Sequence, residues 1–190
     1  MKITDIKLFH LSVPLKKPFK TALRTVESAE ETIIKIETDG ELNGLGEAPP
    51  TAVITGDTNE SIRGIIERKI KPILIGKKVD NRERLFELLN QSVVGNSSAR
   101  AAVDMAIYDL FGKLYRIPLY QLLGGYQKQI TSDLTISVNS PEEMSQDAKE
   151  AVTQGYKTLK LKVGKTMKKD LARVSAIRKA VGPDIAIRLD

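Results

Sequence analysis

The chain has 190 residues, 30 Lys and Arg against 24 Asp and Glu, one His and no Cys. That composition supports one large domain or two small ones. It excludes disulfides, thiol nucleophiles and thiolate metal sites, and a lone His10 makes a zinc site improbable, leaving carboxylates to hold any metal. The net charge of +6 raises the question of a polyanionic partner. Its Lys and Arg are spread among Glu and Asp, and the densest basic cluster, residues 165–169, has no aromatics interleaved, so no nucleic-acid platform is expected. No apolar run is long enough to span a membrane, and "MKITDIKLFHLSVP" is not a signal peptide, which fits a cytoplasmic protein.

Residues 2–14 alternate as a strand, with His10 a packing or surface residue. "LKKPFKTALRTVE", residues 15–27, has Pro18, several basic residues and no period, so it reads as a long loop. "AEETIIKIETDGELNGLGEAPP" reads as two strands around a turn at Asp39 and Gly40. A helix N-cap is expected near Asp57 or Thr58, with helical periodicity over about 59–75, 81–93 and 97–115. Strands followed by helices make an α+β pattern, placed at residues 1–115, with a linker at 116–128.

From residue 129 the pattern changes. "QITSDLTISV" reads as a strand. A helix follows, with Ser140 as N-cap, Pro141 at its first position and Gly155 past its end. "TLKLKVG", a second helix ending at Gly182, and "DIAIRLD" complete β-α-β-α-β, the mark of a parallel sheet with crossover helices. Three such strands leave one sheet face bare. The strands recur about every 27 residues, and eight such units need about 220 residues, the size of a (β/α)₈ barrel. The expected fold is an α+β capping domain followed by an α/β, TIM-type barrel of which the first three strands are present. On that reading these residues are the N-terminal part of a protein of about 350, whose remaining partner is the C-terminal half of its own barrel.

Strand side chains alternate between faces. With Leu159, Leu161 and Val163 against the helices, Lys160 and Lys162 point into the barrel. The same rule sends Ile185, Ile187 and Leu189 outward and Arg188 and Asp190 inward, and sends Asp133, Thr135 and Ser137 inward from the strand before. Lys160, Lys162 and Asp190 then meet at the C-terminal rim, where barrel active sites lie. Two neighbouring ammonium groups disfavour each other's charge, the condition for a lysine general base, and Asp190 offers a hard oxygen ligand. Lysines on an exposed edge strand are the structural alternative.

"AAVDMAIYDLFGKLYRIPLYQLLGG" at 101–125 resembles the cap-to-barrel helix and linker of the enolase superfamily. "TLKLKVG" resembles the K-x-K strand of its muconate-lactonizing subgroup, and "IRLD" the strand of the first Mg²⁺ ligand. "PFKTALRTVESAE", "GEAPPTAVITGDT" and "TISVNSPEEM" are similar to the dipeptide epimerases of that subgroup. A Lys or His base acting with Mg²⁺ is the known chemistry of the superfamily. The resemblance implies Mg²⁺-dependent epimerisation of dipeptides of the L-Ala-D/L-Glu type, by 1,1-proton transfer through an enediolate. It further implies that Lys162 is the base on one face of the α-carbon and that Lys160 contacts the substrate carboxylate and tunes Lys162. Asp190 would be the first metal ligand, Thr135 a substrate contact, and Arg24 the partner of the substrate's side-chain carboxylate. Two further acidic ligands, a second lysine and the residues for the substrate ammonium would follow Asp190. The alternatives are a cycloisomerase, an o-succinylbenzoate synthase, an N-acyl amino acid racemase, or a non-catalytic module for an anionic ligand. Homo-oligomerisation stays open.

Overall fold

The structure, a computed structural model, describes residues 1–164 and 166–190, so Lys165 of the basic cluster lies outside the described residues. It forms two compact units. The first comprises Met1–Val13 and Ala29–Tyr126, the second Pro14–Ser28 and Gln127–Asp190. Among the described residues no helix is long and apolar enough to cross a membrane.

Strands β1 (Ile3–Lys20), β2 (Thr25–Thr38) and β3 (Asn43–Ala48) form a sheet in that order. In the first unit, α1 (Asn59–Ile65), a π-helical turn (Ile66–Ile70) and α2 (Lys71–Leu74) follow without a break, then α3 (Arg82–Ser92), α4 (Ser97–Tyr115) and α5 (Leu119–Leu122). Ile34 and Ile36 alternate onto one sheet face and join Ile62, Ile66, Ile70, Leu74, Leu85, Leu89 and Ile107 in the core. The opposing stripe of α4 is largely small, with Ala99, Ala102 and Ala106 fully buried. The reason lies in β3. A Cβ on Gly44 would stand 2.0 Å from the Ala106 carbonyl oxygen, and one on Gly46 would stand 1.9 Å from that of Ala102. Strand and helix meet backbone to backbone, which only glycine permits.

Thr58 caps α1 by accepting the Ser61 N–H. Asp57, 3% exposed, does something the local pattern did not announce: its carboxylate accepts the Ser98 N–H, at the start of α4. Asn96, the residue preceding α4, makes no side-chain cap bond, so Asp57 supplies that bond from 41 residues away.

The second unit is a parallel sheet, β4 (Leu134–Ile136), β5 (Thr158–Leu161) and β6 (Ala186–Leu189), in that order, with crossover helices α6 (Pro141–Thr153) and α7 (Met167–Val181). Ser140 and Glu143 form a reciprocal capping box at the start of α6, with Pro141 in its first turn. Leu159, Leu161, Ile136 and Ile185 pack on Met144, Ala148 and Ala151 of α6 and Ile177 of α7.

Three expectations need correction. Residues 15–27 are not a long loop: β1 runs to Lys20 and β2 begins at Thr25, leaving a turn at 21–24. Residues 9–18 are exposed on both faces, so no burial period marks the strand. The first parallel strand covers only Leu134–Ile136, because Val138 donates its N–H to the Lys20 carbonyl instead of continuing the ladder. Leu189 faces α7 as the alternation requires but is not packed there; it is 58% exposed and lines an open apolar cavity with Val163, Met167, Leu171 and Val174.

Candidate active site

The register of the parallel sheet sets Thr135 beside Lys160 and Lys160 beside Arg188. Since Leu159 and Leu161 are buried against the helices, these three lie on the opposite face. Past the end of β5, Lys162 donates its N–H to the Ile136 carbonyl and Val163 donates to that of Asp190, so the alternation continues one residue further. Lys160 and Lys162 are therefore on one face at the C-terminal ends of the strands.

Both ammonium groups converge on Asp190. Lys160 Nζ is 2.6 Å from Asp190 Oδ2, and Lys162 Nζ donates to the same oxygen. The Lys160 bond first, and then that of Lys162, lowers the Asp190 pKa to about 2. The carboxylate is thus anionic throughout the neutral range, the state a hard cation requires of an oxygen ligand. A carboxyl whose folded value lies below its ordinary one contributes stability that is present above about pH 4 and lost as pH falls through about 2. Among the described residues no group of three His, Asp or Glu side chains could hold a metal. Asp190 fits one ligand position by its chemistry, and the described residues supply no complete set.

The other polar groups on this face are also organised. Arg188 Nη1 pairs with Asp133 Oδ2 at 2.8 Å, and Thr135 lies half-buried in the row with Lys160. Arg24 sits in the 21–24 turn. Thr21 sets that turn: its N–H donates to the Arg24 carbonyl at 2.9 Å, and its hydroxyl accepts the N–H groups of Leu23 and Arg24. No ion pair or hydrogen bond engages the Arg24 guanidinium among the described residues, Asp190 included. The turn nonetheless lies against the loop that follows Lys162, because a Cβ built on Gly164 would be 3.7 Å from that of Ala22.

Thus Lys160, Lys162 and Asp190 come together, Thr135 is in register with them, and Arg24 stands apart on a neighbouring turn. His10 is on the surface in the first unit, 3.0 Å from a Glu30 carboxylate oxygen. Sequence reading did not single out Lys20, Asn139, Asp170 or Arg173, which tie the loops of this region together. The i,i+3 spacing of Asp170 and Arg173 is legible, but the reach of Arg173 to Asn139 crosses 34 residues and has no local signal.

A family model described as "Mandelate racemase / muconate lactonizing enzyme, N-terminal domain" matches residues 3–124, and one described as "Enolase C-terminal domain-like" matches residues 143–190. The L-Ala-D/L-Glu epimerase of Clostridium acetobutylicum is 52% identical over 100% of this chain and 53% of its own length. The solved substrate-liganded L-Ala-D/L-Glu epimerase of Bacillus subtilis superposes with a TM-score of 0.98 at 49% identity, over 100% of this chain and 53% of that one. The dipeptide epimerase of Enterococcus faecalis, solved with Mg and L-Leu-L-Tyr, gives a TM-score of 0.96 at 43% identity, with 100% and 53% covered. The chain spans about half the length of the relatives it matches. On the matched models, the shared architecture and the full-length coverage of its residues by these relatives, the chain belongs to the mandelate racemase and muconate lactonizing group of the enolase superfamily.

Proposed function

We propose that the protein, acting with the barrel half that its relatives possess, is a cytoplasmic, Mg²⁺-dependent dipeptide epimerase that inverts the α-carbon of a C-terminal Glu in L-Ala-D/L-Glu-type substrates. The observation that carries this reading is the convergence of Lys160 and Lys162 on Asp190 at the strand ends of the parallel sheet. Its relatives' names support the substrate class.

Lys162 takes the α-proton from one face of the substrate and returns it on the reverse traverse. Its side chain is 22% exposed, open enough to reach a ligand. Positioned general bases contribute about 10²- to 10⁴-fold. Lys160 holds the substrate carboxylate, setting the α-hydrogen in front of Lys162. Thr135 hydrogen-bonds the dipeptide beside it. Asp190 would hold Mg²⁺, which supplies positive charge where the carboxylate gains negative charge as the proton leaves. Arg24 receives the side-chain carboxylate of the substrate.

The test is incubation of the full-length protein with L-Ala-L-Glu and with L-Ala-D-Glu. Each should yield the other, and chelation of Mg²⁺ should lower the rate by at least about a hundredfold, the scale of several kcal/mol of charge stabilisation. Turnover of N-acyl amino acids or lactones with no turnover of dipeptides would refute the assignment.

Arg24 gives a sharper prediction. Arg24→Ala should lower kcat/KM for L-Ala-L-Glu by about 10- to 100-fold, the worth of one lost charge-assisted hydrogen bond. L-Ala-L-Ala, with no side-chain carboxylate, should lose less than about threefold. Equal losses for the two dipeptides would remove Arg24 from the side-chain pocket.

A further inference from the structure

We propose that the largely buried Asp170–Arg173 pair, through Asn139 and Lys20, is a positioning device that holds the 21–24 turn against the end of the lysine strand, and so fixes the side-chain pocket of the substrate. Its link to the substrate rests on the epimerase reading above. The physical coupling does not.

The device is a closed circuit within the second unit. The Gly164 N–H donates to Asp170 Oδ2 at 3.0 Å. Arg173 Nη1 donates to Asp170 Oδ1 at 2.8 Å, and Arg173 Nε donates to the Asn139 carbonyl at 2.8 Å. The Asn139 side-chain oxygen accepts from Lys20 Nζ at 2.9 Å. The Lys20 backbone joins the same segment, its N–H donating to Ser137 Oγ at 3.3 Å and its carbonyl accepting the Val138 N–H at 2.9 Å. The next residue, Thr21, builds the turn, and Ala22 returns to Gly164. The loop after β5, the loop after β4 and the hairpin tip are thereby one connected body.

Several features mark this as more than surface pairing. The Arg173 side chain is 9% exposed and that of Asp170 16%. A buried ion pair is weak support for stability, since apolar residues of similar volume often serve as well. What an arginine adds is geometry. Its planar fork presents Nε and Nη1 in fixed relation to two acceptors on different segments, which a lysine cannot reproduce. Gly164 holds φ +105°, a conformation closed to other residues, and this aims its N–H at Asp170. Asp170 stands in the first turn of α7, where the helix dipole favours its charge.

No hydrogen bond or ion pair joins Lys20 or Arg173 to Lys160, Lys162 or Asp190. They are positioning residues, and their removal should read out in substrate affinity ahead of chemistry. The test uses the full-length chain with Lys20→Met and, separately, Arg173→Lys. The first keeps the aliphatic stem and the backbone bonds of Lys20, and the second keeps a cation on Asp170. Three quantities are read: the thermal midpoint, the rate of tryptic cleavage after Arg24 followed by mass spectrometry, and kcat and KM for L-Ala-L-Glu. Leu23 is 74% exposed, so the cleavage site is at the surface and its rate reports opening of the hairpin tip.

Both variants should be cleaved after Arg24 about tenfold faster than the parent, the population change of one lost charge-assisted hydrogen bond. KM should rise about tenfold with kcat within about threefold, and the thermal midpoint should stay within a few degrees. Cleavage at the parent rate in both variants would overturn the proposal. So would a joint fall of thermal midpoint and kcat with KM unchanged, the mark of a merely structural pair. Faster cleavage in variants of a parent that epimerises no dipeptide would uphold the coupling and overturn the functional reading.

Discussion

In the full-length protein, Lys162→Ala is expected to abolish epimerisation in both directions. Inversion removes a proton from one face of the α-carbon and delivers one to the other, so each traverse uses both bases. Losing either stops the net reaction whichever epimer is supplied. The expected loss is about 10³-fold or more, since the base contribution disappears with the side chain. The fold should survive. Lys162 lies on the polar face of the sheet, away from the cluster of Leu159, Leu161, Met144 and Ile177, and Asp190 keeps its partner Lys160. The variant should therefore elute, melt and bind dipeptide much as the parent does. Progress curves from either epimer, followed by NMR, are the measurement. Epimerisation within about tenfold of the parent would exclude Lys162 as a base.

Gly46→Ala is expected to have the largest effect on stability. Its Cβ would stand 1.9 Å from the carbonyl oxygen of Ala102 and 2.9 Å from the carbonyl carbon. Those atoms belong to the backbone of α4, so no rotamer change relieves the clash; β3 must move off the helix. Overpacking in well-packed cores costs about 1–3 kcal/mol and occasionally more, and a backbone collision belongs at the upper end. About 3 kcal/mol in a unit of this size lowers the thermal midpoint by about 12 °C or more. Gly64→Ala is the matched control. It lies within α1, and nothing is within 4 Å of its built Cβ. There the lower entropy of the unfolded chain should leave stability unchanged or raised by about 0.5–1 kcal/mol. Thermal melts by circular dichroism compare the two, and a Gly46→Ala midpoint no lower than that of Gly64→Ala would contradict the packing described for β3 and α4.

The difference between these glycines shows what a sequence displays. Each is flanked by one apolar and one charged residue, and only the approach of α4, more than 50 residues away, makes one indispensable. Local chemistry was easier to read. Ser140, Pro141 and Gly155 bounded α6, and the alternation of Leu159, Lys160, Leu161 and Lys162 predicted which residues pack on helices. Together with the strand that ends at Asp190, that alternation also put three charged groups on one face. The catalytic roles proposed for them rest on resemblance, because a K-x-K tripeptide has no chemistry of its own until another strand places a carboxylate beside it. The hairpin around Arg24 is hidden in the sequence for the opposite reason. Residues 9–18 bury neither face, so burial left no period to detect. Contacts distant in sequence were invisible throughout: Asp57 capping α4, and Lys20 tied through Asn139 to Arg173.

Exchange of the substrate α-proton with solvent, measured for each epimer separately in the Lys162→Ala variant, tests the central claim most directly. The full-length variant is incubated in D₂O with Mg²⁺ and either L-Ala-L-Glu or L-Ala-D-Glu, and the α-hydrogen signal is followed by NMR. One base remains, and it faces one side of the α-carbon. Exchange should therefore persist for one epimer and fall by about 10³-fold for the other, with no interconversion of the two. Equal loss of exchange from both epimers, or exchange retained in both, would contradict the assignment of Lys162 as the base of a single face.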